Sequence, residues 1–324
     1  MLLAFGGVLC LVAGCSNKRV MEESEARFID INEEFSKVVN VSPAEEKGKT
    51  VTQDGKILED KLQTVESKKK TKKMPRKVKM SKVNRRPVQD PFREGEQVVL
   101  AVKYFKAQAG NLAISVDPFK YVNGKKAYAF SVSVKTSNFF SRFYAVDNRA
   151  ETFVDYEELK PLAYSSESKE SAQHKEVRVF FDWQQNRVTH WEKTVRKDRA
   201  EEKKQYVWSM NDFAQDIISS VFYLRTFTLS PGLTFSFHVA DAGKNYTFKG
   251  EVLRRETLST KLGNLDTLVV RPTFTLEDKF APTGENLIWV TNDDRKFIVR
   301  IESKIKIGTL VATLDNISKG SEEN

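Results

Sequence analysis

The sequence predicts a mainly β protein. It reads as an antiparallel curved sheet, half-barrel or barrel of about ten or more strands with one main inserted helix, preceded by a largely disordered N-terminal tether. Three observations carry this reading. Short runs of alternating apolar and polar residues recur from Phe92 onward, the period-2 pattern of strands with one buried face. One segment among them, 211–227, changes to a helical period. Ahead of Asp90-Pro91 lie stretches too charged and too poor in apolar side chains to offset the entropy of ordering.

The chain has 324 residues, 22 of them Phe, enough to bury a core without metal or disulfide support. Its two cysteines, Cys10 and Cys15, both precede the folded region, which excludes an internal disulfide framework or a Cys-based zinc site there. The net charge of +9 is local in origin. The run Lys68–Arg86 holds eleven Lys or Arg and no acid, which leaves 42 basic and 44 acidic residues elsewhere.

Residues 1–14 form an uncharged apolar stretch of the length of a signal-peptide core, too short for a permanent transmembrane helix. Val12-Ala13-Gly14-Cys15 resembles the lipobox of bacterial lipoproteins. That resemblance implies cleavage before Cys15, acylation of its thiol and anchorage to a membrane. Ser16, where Asp would signal retention, points to the outer membrane, with the periplasmic face expected. No Lys or Arg precedes the apolar stretch, so a start codon upstream of Met1 is expected.

Residues 15–91 read as the lipidated tether. Phe28, Ile31, Phe35 and Val38 place a short amphipathic helix near 22–39. A second, weaker helical pattern runs through Ile57, Leu58, Leu62 and Val65. The remainder of 41–91 reads as linker, with a basic low-complexity part at 67–89. Within it Lys68, Lys69, Lys70, Lys72, Lys73, Arg76 and Lys77 are candidate contacts for an anionic surface, lipid or peptidoglycan. The bland alternative is a solvated, self-repelling spacer. Nucleic acid is not expected, because no aromatics interleave the cations and the lipobox places the chain in the envelope.

Residues 92–316 form the β-rich domain and 317–324 a tail. Strands are expected at "VVLAVKYF", "NLAISV", "KAYAFSVSV", "KEVRVFFDW" and "RVTHWEKTV", with a turn near Gln185-Asn186. Leu233, Phe235, Phe237 and Val239 fill one face of the next strand, which returns through Ala242-Gly243-Lys244. Further strands follow to "KIGTLVATL". In "NDFAQDIISSVFYLRTF", Asn211 or Asp212 offers the N-cap, and Phe213, Ile217, Val221 and Leu224 make the apolar stripe.

Several features recur in an order that resembles a bacterial family known only as domain of unknown function 3108. They are Gly95-Glu96, Ala109-Gly110, Asp216, Ser220, Tyr223, Leu224 and Arg225, then Leu262-Gly263, Trp289 and Asp294. The resemblance implies an exported envelope protein of a diderm bacterium and brings no activity with it. By looser analogy the β-rich pattern is similar to the half-barrels of the lipoprotein carrier and its outer-membrane receptor, where a curved sheet and a helix enclose an apolar cavity.

No nucleophile elbow, phosphate loop or metal-binding His spacing occurs, and His174, His190 and His238 fall in separate strand-like segments. No cofactor and no enzymatic activity are expected. Phe139, Phe140, Phe143, Tyr144, Tyr223, Arg225 and Trp289 are the candidates for an apolar ligand pocket or for anchoring helix to sheet. The leading functional reading is a lipid-anchored, non-catalytic binding or interaction module. The alternatives are a scaffold linking the membrane to the wall or to an envelope protein, and a hydrolase with a carboxylate site.

Overall fold

The structure, a computed structural model, describes residues 30–44, 86–87, 89–104, 107–276, 279–280, 286–305 and 308–321, all in one compact unit. Cys15, the signal segment and the basic residues Lys68–Lys77 lie outside the described residues.

In chain order, α1 (Ile31–Ser36) and β1 (Val41–Pro43) precede β2 (Glu96–Tyr104), β3 (Ala107–Val122) and β4 (Lys125–Thr136). The single turn α2 (Asn138–Ser141) leads to β5 (Val146–Asp155), β6 (Pro161–Glu170), β7 (Gln173–Asp182), β8 (Arg187–Arg196) and β9 (Arg199–Ser209). Next come α3 (Ile217–Tyr223) and a 3-10 turn (Leu224–Thr226), then β10 (Thr234–Asp241), β11 (Lys244–Thr260) and β12 (Gly263–Leu276). The chain closes with β13 (Lys279–Phe280), β14 (Asn286–Thr291), β15 (Ile298–Ile305) and β16 (Gly308–Lys319).

These strands make one sixteen-stranded sheet with antiparallel pairing throughout. Its order is β10-β11-β12-β14-β15-β16-β2-β3-β4-β5-β6-β7-β8-β9, with β1 beside β3 and β13 beside β12. Two meanders are thus joined where β16 pairs with β2. Among the described residues the sheet ends at β9 and β10, which are consecutive in sequence, and their connection carries α3 into the concave side. Gln215 covers part of the β10 edge: its N–H donates to His238 O at 2.8 Å, and its carbonyl accepts from Ala240 N at 2.8 Å. Such cover protects an otherwise unpaired strand edge.

Curvature has local causes. Register shifts at Asp117/Lys120 in β3 and Val252/Arg254 in β11 bend the two longest strands. The hairpin turns Asn123-Gly124 and Ala242-Gly243 have φ of 50° and 77°, and 44° and 77°, the left-handed pair that matches strand twist. Gly110 answers a different need. A Cβ there would sit 2.3 Å from Lys135 O on the neighbouring strand, so only glycine permits the approach. Gly110→Ala is expected to lower stability by about 1–3 kcal/mol, read as a lower urea midpoint at unchanged slope.

Alternation sorts side chains between two faces. Leu112, Ile114 and Val116 of β3 and Tyr128, Phe130, Val132 and Val134 of β4 point into the concave core. There Phe222 of α3 stacks on Phe130 at 4.1 Å between centroids. Ala127, Ala129, Phe153 and Ala163 face the convex side, where Val39 and Phe35 cover them. Ile31 packs with Trp191 on that same face. Small Ala side chains leave room for this cover.

The elements differ from expectation in three places. In the segment expected as a helix near 22–39, the described helix is Ile31–Ser36; Val38 lies beyond it, exposed, while Val39 takes the buried place. The tether boundary at 91 and the tail boundary at 317 also shift. Residues 31–44 pack on the sheet, Tyr128 donates its hydroxyl to Asp90, and β16 continues to Lys319. The third difference concerns the inserted helix, which begins at Ile217 and not near Asn211. Asp216 is its cap, accepting from Ile218 N at 2.7 Å and Ser219 N at 2.8 Å, while Ser219 Oγ accepts from Asp216 N at 2.9 Å. Phe213, placed on the stripe by periodicity, has φ of 58° and precedes the helix. The capping box and the extended edge contact of Gln215 together outweigh the helical period of 211–215.

Candidate functional site

Between α3 and the concave face lies an apolar cavity of about 70 Å³. Ile218, Val221 and Leu224 form its helical wall. Leu112, Ile114 and Val132 form the wall from β3 and β4; Phe248, Pro272, Phe274, Ile288, Ile298 and Ile301 close the C-terminal half. Among the described residues one polar side chain, Ser220, reaches the lining, and its hydroxyl donates to Ile217 O at 2.7 Å. The space therefore offers shape and dispersion, with almost nothing to hold water. Its volume suits the end of one acyl chain and falls short of the roughly 300–1,000 Å³ that encloses a whole drug-sized ligand.

The wall that α3 provides is held in place from below. Arg225, 3% exposed, donates to Glu96 Oε1 at 2.5 Å and Oε2 at 3.2 Å, to Arg295 O at 2.9 Å and to Pro91 O at 2.9 Å. Arg295 adds a 2.7 Å bond to Glu96 Oε2. The Arg225 guanidinium lies near the rings of Phe92 and Phe297, at 5.2 and 5.3 Å. This clasp ties the end of the helix to the start of β2 and to the turn before β15. At the other end, the buried Asp216 also accepts from Thr152 Oγ1 at 2.5 Å, which fixes the helix start to β5.

None of the seven candidates drawn from the sequence lines this cavity. Phe139 and Phe143 are 62% and 65% exposed, packed edge-on at 5.7 Å around α2, with Phe140 beside Phe139 at 5.5 Å. Tyr144 donates to Glu170 Oε2 at 2.6 Å, and burial, then that carboxylate, pushes its hydroxyl up to about 12. Tyr223 stands edge-on to Phe227 and Phe237 at 5.3 and 5.1 Å. Trp289 is buried in the core and donates to Glu256 Oε1 at 2.5 Å. Arg225 serves the clasp. The lining residues were legible as core strands, but strand periodicity does not tell a filled space from an empty one.

A polar cluster occupies the concave side of β7 and β8. Lys175 Nζ lies 2.9 Å from Glu192 Oε2, and the buried His190 has Nε2 at 3.6 Å from the same oxygen. Burial would raise Glu192, but His190 and Lys175 outweigh it and hold the carboxyl at about 2. Burial lowers His190, with Glu192 opposing. Across from them, Asp241 at the end of β10 is pushed up to about 7, first by burial; Asp216 and Glu192 add to this and Lys175 opposes it.

Asp241 makes stability depend on pH with a defined sign. Between about 4 and 7 the folded chain holds a proton that the unfolded chain has lost, so stability falls as pH rises through that window and the penalty is complete above it. Asp241→Asn is expected to raise stability at pH 8 by roughly 2 kcal/mol, after solvent screening of this partly exposed group. It should also remove the fall between pH 4 and 7, as seen in urea midpoints measured across that range.

A curved antiparallel sheet closed over a helix, with an apolar space between them, defines the class: a β half-barrel with an internal cavity. The chain belongs to the family described as Protein of unknown function (DUF3108), whose model matches residues 98–315. No curated protein matches it. Among solved structures it is similar to a beta-barrel-like protein of domain of unknown function DUF1849 from Brucella abortus. That match has 8% identity, a TM-score of 0.43, and covers 69% of this chain and 96% of the other. It is also similar to a candidate lipoprotein from Parabacteroides distasonis, at 9% identity and a TM-score of 0.28, covering 74% of this chain and 100% of the other.

Proposed function

We propose that the chain is a lipid-anchored, non-catalytic envelope module that takes the end of an apolar chain into the cavity between α3 and the sheet. The observation that carries this is the chemistry of the lining: apolar side chains from both meanders and the helix converge on one space, and its single hydroxyl is already engaged. An acyl chain answers that chemistry, and a polar substrate does not. Acylation at Cys15 and an outer-membrane, periplasm-facing position rest on the lipobox, and they would keep the module beside a source of such chains. Contact of Lys68–Lys77 with anionic lipid or wall polymer would adjust its distance from that surface.

The binding claim is tested by titrating the purified full chain with a fluorescent long-chain fatty acid. Saturable, salt-insensitive binding that competes with unlabelled palmitate supports the proposal. Linear, non-competed uptake contradicts it.

A further inference from the structure

The exposed aromatic cluster at α2 is not used by the cavity, and its construction calls for an occupant. Phe139 and Phe143 are the most exposed large hydrophobic residues among the described residues. Their position is imposed by the neighbouring backbone. Ser137 N donates to Ala109 O at 2.9 Å, Ala145 N to Ser171 Oγ at 2.7 Å, and Ser171 N to Ala145 O at 3.0 Å. Tyr144 pins the following residue to Glu170. Between these anchors the loop presents both rings at the surface.

We propose that this knuckle, residues 138–143, is a lipid-contacting wedge that enters the hydrocarbon edge of a bilayer. Four observations favour lipid over a protein partner. Two exposed rings fall far below the roughly 800 Å² per partner of a stable protein interface, whereas a membrane wedge needs only a few rings. Arg142, exposed and next to Phe143 in sequence, suits a phosphate at headgroup depth. The carboxylates beside the knuckle are engaged: Asp147 pairs with Lys135 at 2.8 Å, and Glu170 accepts from Tyr144 at 2.6 Å and from Asn148 at 3.4 Å. Lastly, the knuckle follows the end of β4, the same end of the sheet at which β12 finishes two residues after the cavity-lining Phe274. From Val132 at the cavity to Thr136, where β4 ends, the strand rises roughly 13 Å, at about 3.3 Å per residue. The wedge would thus hold the near rim of the cavity against lipid. It stands on the loop itself and does not require the cavity to be filled.

The test uses the acylated full chain carrying Phe139→Trp, reconstituted in neutral phosphatidylcholine vesicles so that the basic run contributes no surface attraction. The parent chain is subtracted as background. The indole at position 139 is expected to be quenched by phosphatidylcholine brominated near the headgroup end of its acyl chains. It should also be shielded at least fivefold from aqueous iodide, and adding Phe143→Ser should restore iodide access. Iodide quenching equal to that of the vesicle-free protein overturns the proposal. Shielding that appears without lipid and grows with protein concentration overturns it too, assigning the rings to a second copy of the chain. Both substitutions lie at exposed positions, so an unchanged melting temperature is the check on folding. Fatty-acid titration of the same variants separates this outcome from failure of the cavity reading: loss of wedging with ligand binding retained contradicts only the wedge, and the reverse contradicts only the cavity.

Discussion

Arg225→Ala is expected to destabilise the domain by about 3–5 kcal/mol, the range for stranding one partner of a buried ion pair. Glu96 is 1% exposed, and in the variant it would keep only the Arg295 bond. The carbonyls of Pro91 and Arg295 would also lose a donor. The loss should appear as a lower urea midpoint, together with faster hydrogen exchange in α3, because the clasp fixes the end of that helix. Arg225→Lys should recover little, since a point charge cannot span both Glu96 oxygens and two carbonyls at once. The double variant Arg225→Met/Glu96→Met should be far closer to the parent than either single change, because the one charge that then loses its ion pair, Arg295, is partly exposed and still donates to Pro91 O and Lys319 O. If the double variant is as unstable as Arg225→Ala alone, the clasp is not acting through charge.

The second large effect concerns the cavity. Val132 lies opposite Ile114 in the β3–β4 pairing, and both line the empty space. Val132→Phe should fill that space and lower affinity for long-chain fatty acid at least tenfold, which is about 1.4 kcal/mol. Stability should hold or rise. A void of about 70 Å³ represents up to about 2 kcal/mol of lost packing at roughly 24 cal/mol per Å³. Val132→Ile, one methylene larger than the parent, should fall between the two. The opposed directions matter, since a variant that is merely damaged would lose stability and affinity together.

How far the sequence foretold this arrangement differs by feature. The β-rich fold, the single inserted helix and the hairpin turns were legible because alternation and turn chemistry are local. The sixteen-stranded order was not, because the β16–β2 junction joins residues more than 200 apart in the chain. The helix start was misplaced because 211–215 carries a helical period whose apolar side chains are used instead at the sheet edge: Ala214 packs with Val188 and Ala240. Clustered aromatics drew attention to Phe139, Phe140 and Phe143, yet two of these are exposed, while the cavity is lined largely by aliphatic side chains from distant strands. A void is a property of how distant faces fail to meet, and no local pattern records it. Arg225 stood out in sequence, but its partner Glu96 lies 129 residues away and is identified only by the fold.

The central claim is that the cavity holds an apolar chain in the protein's own membrane. The most direct measurement is gentle purification of the parent and of Val132→Phe from that membrane, followed by native mass spectrometry and lipid extraction. The account predicts a non-covalent acyl-bearing molecule, near one per chain, on the parent and a strongly reduced amount on the variant, with the acylated Cys15 peptide unchanged in both. Equal lipid on the two proteins, or none on the parent, would contradict it.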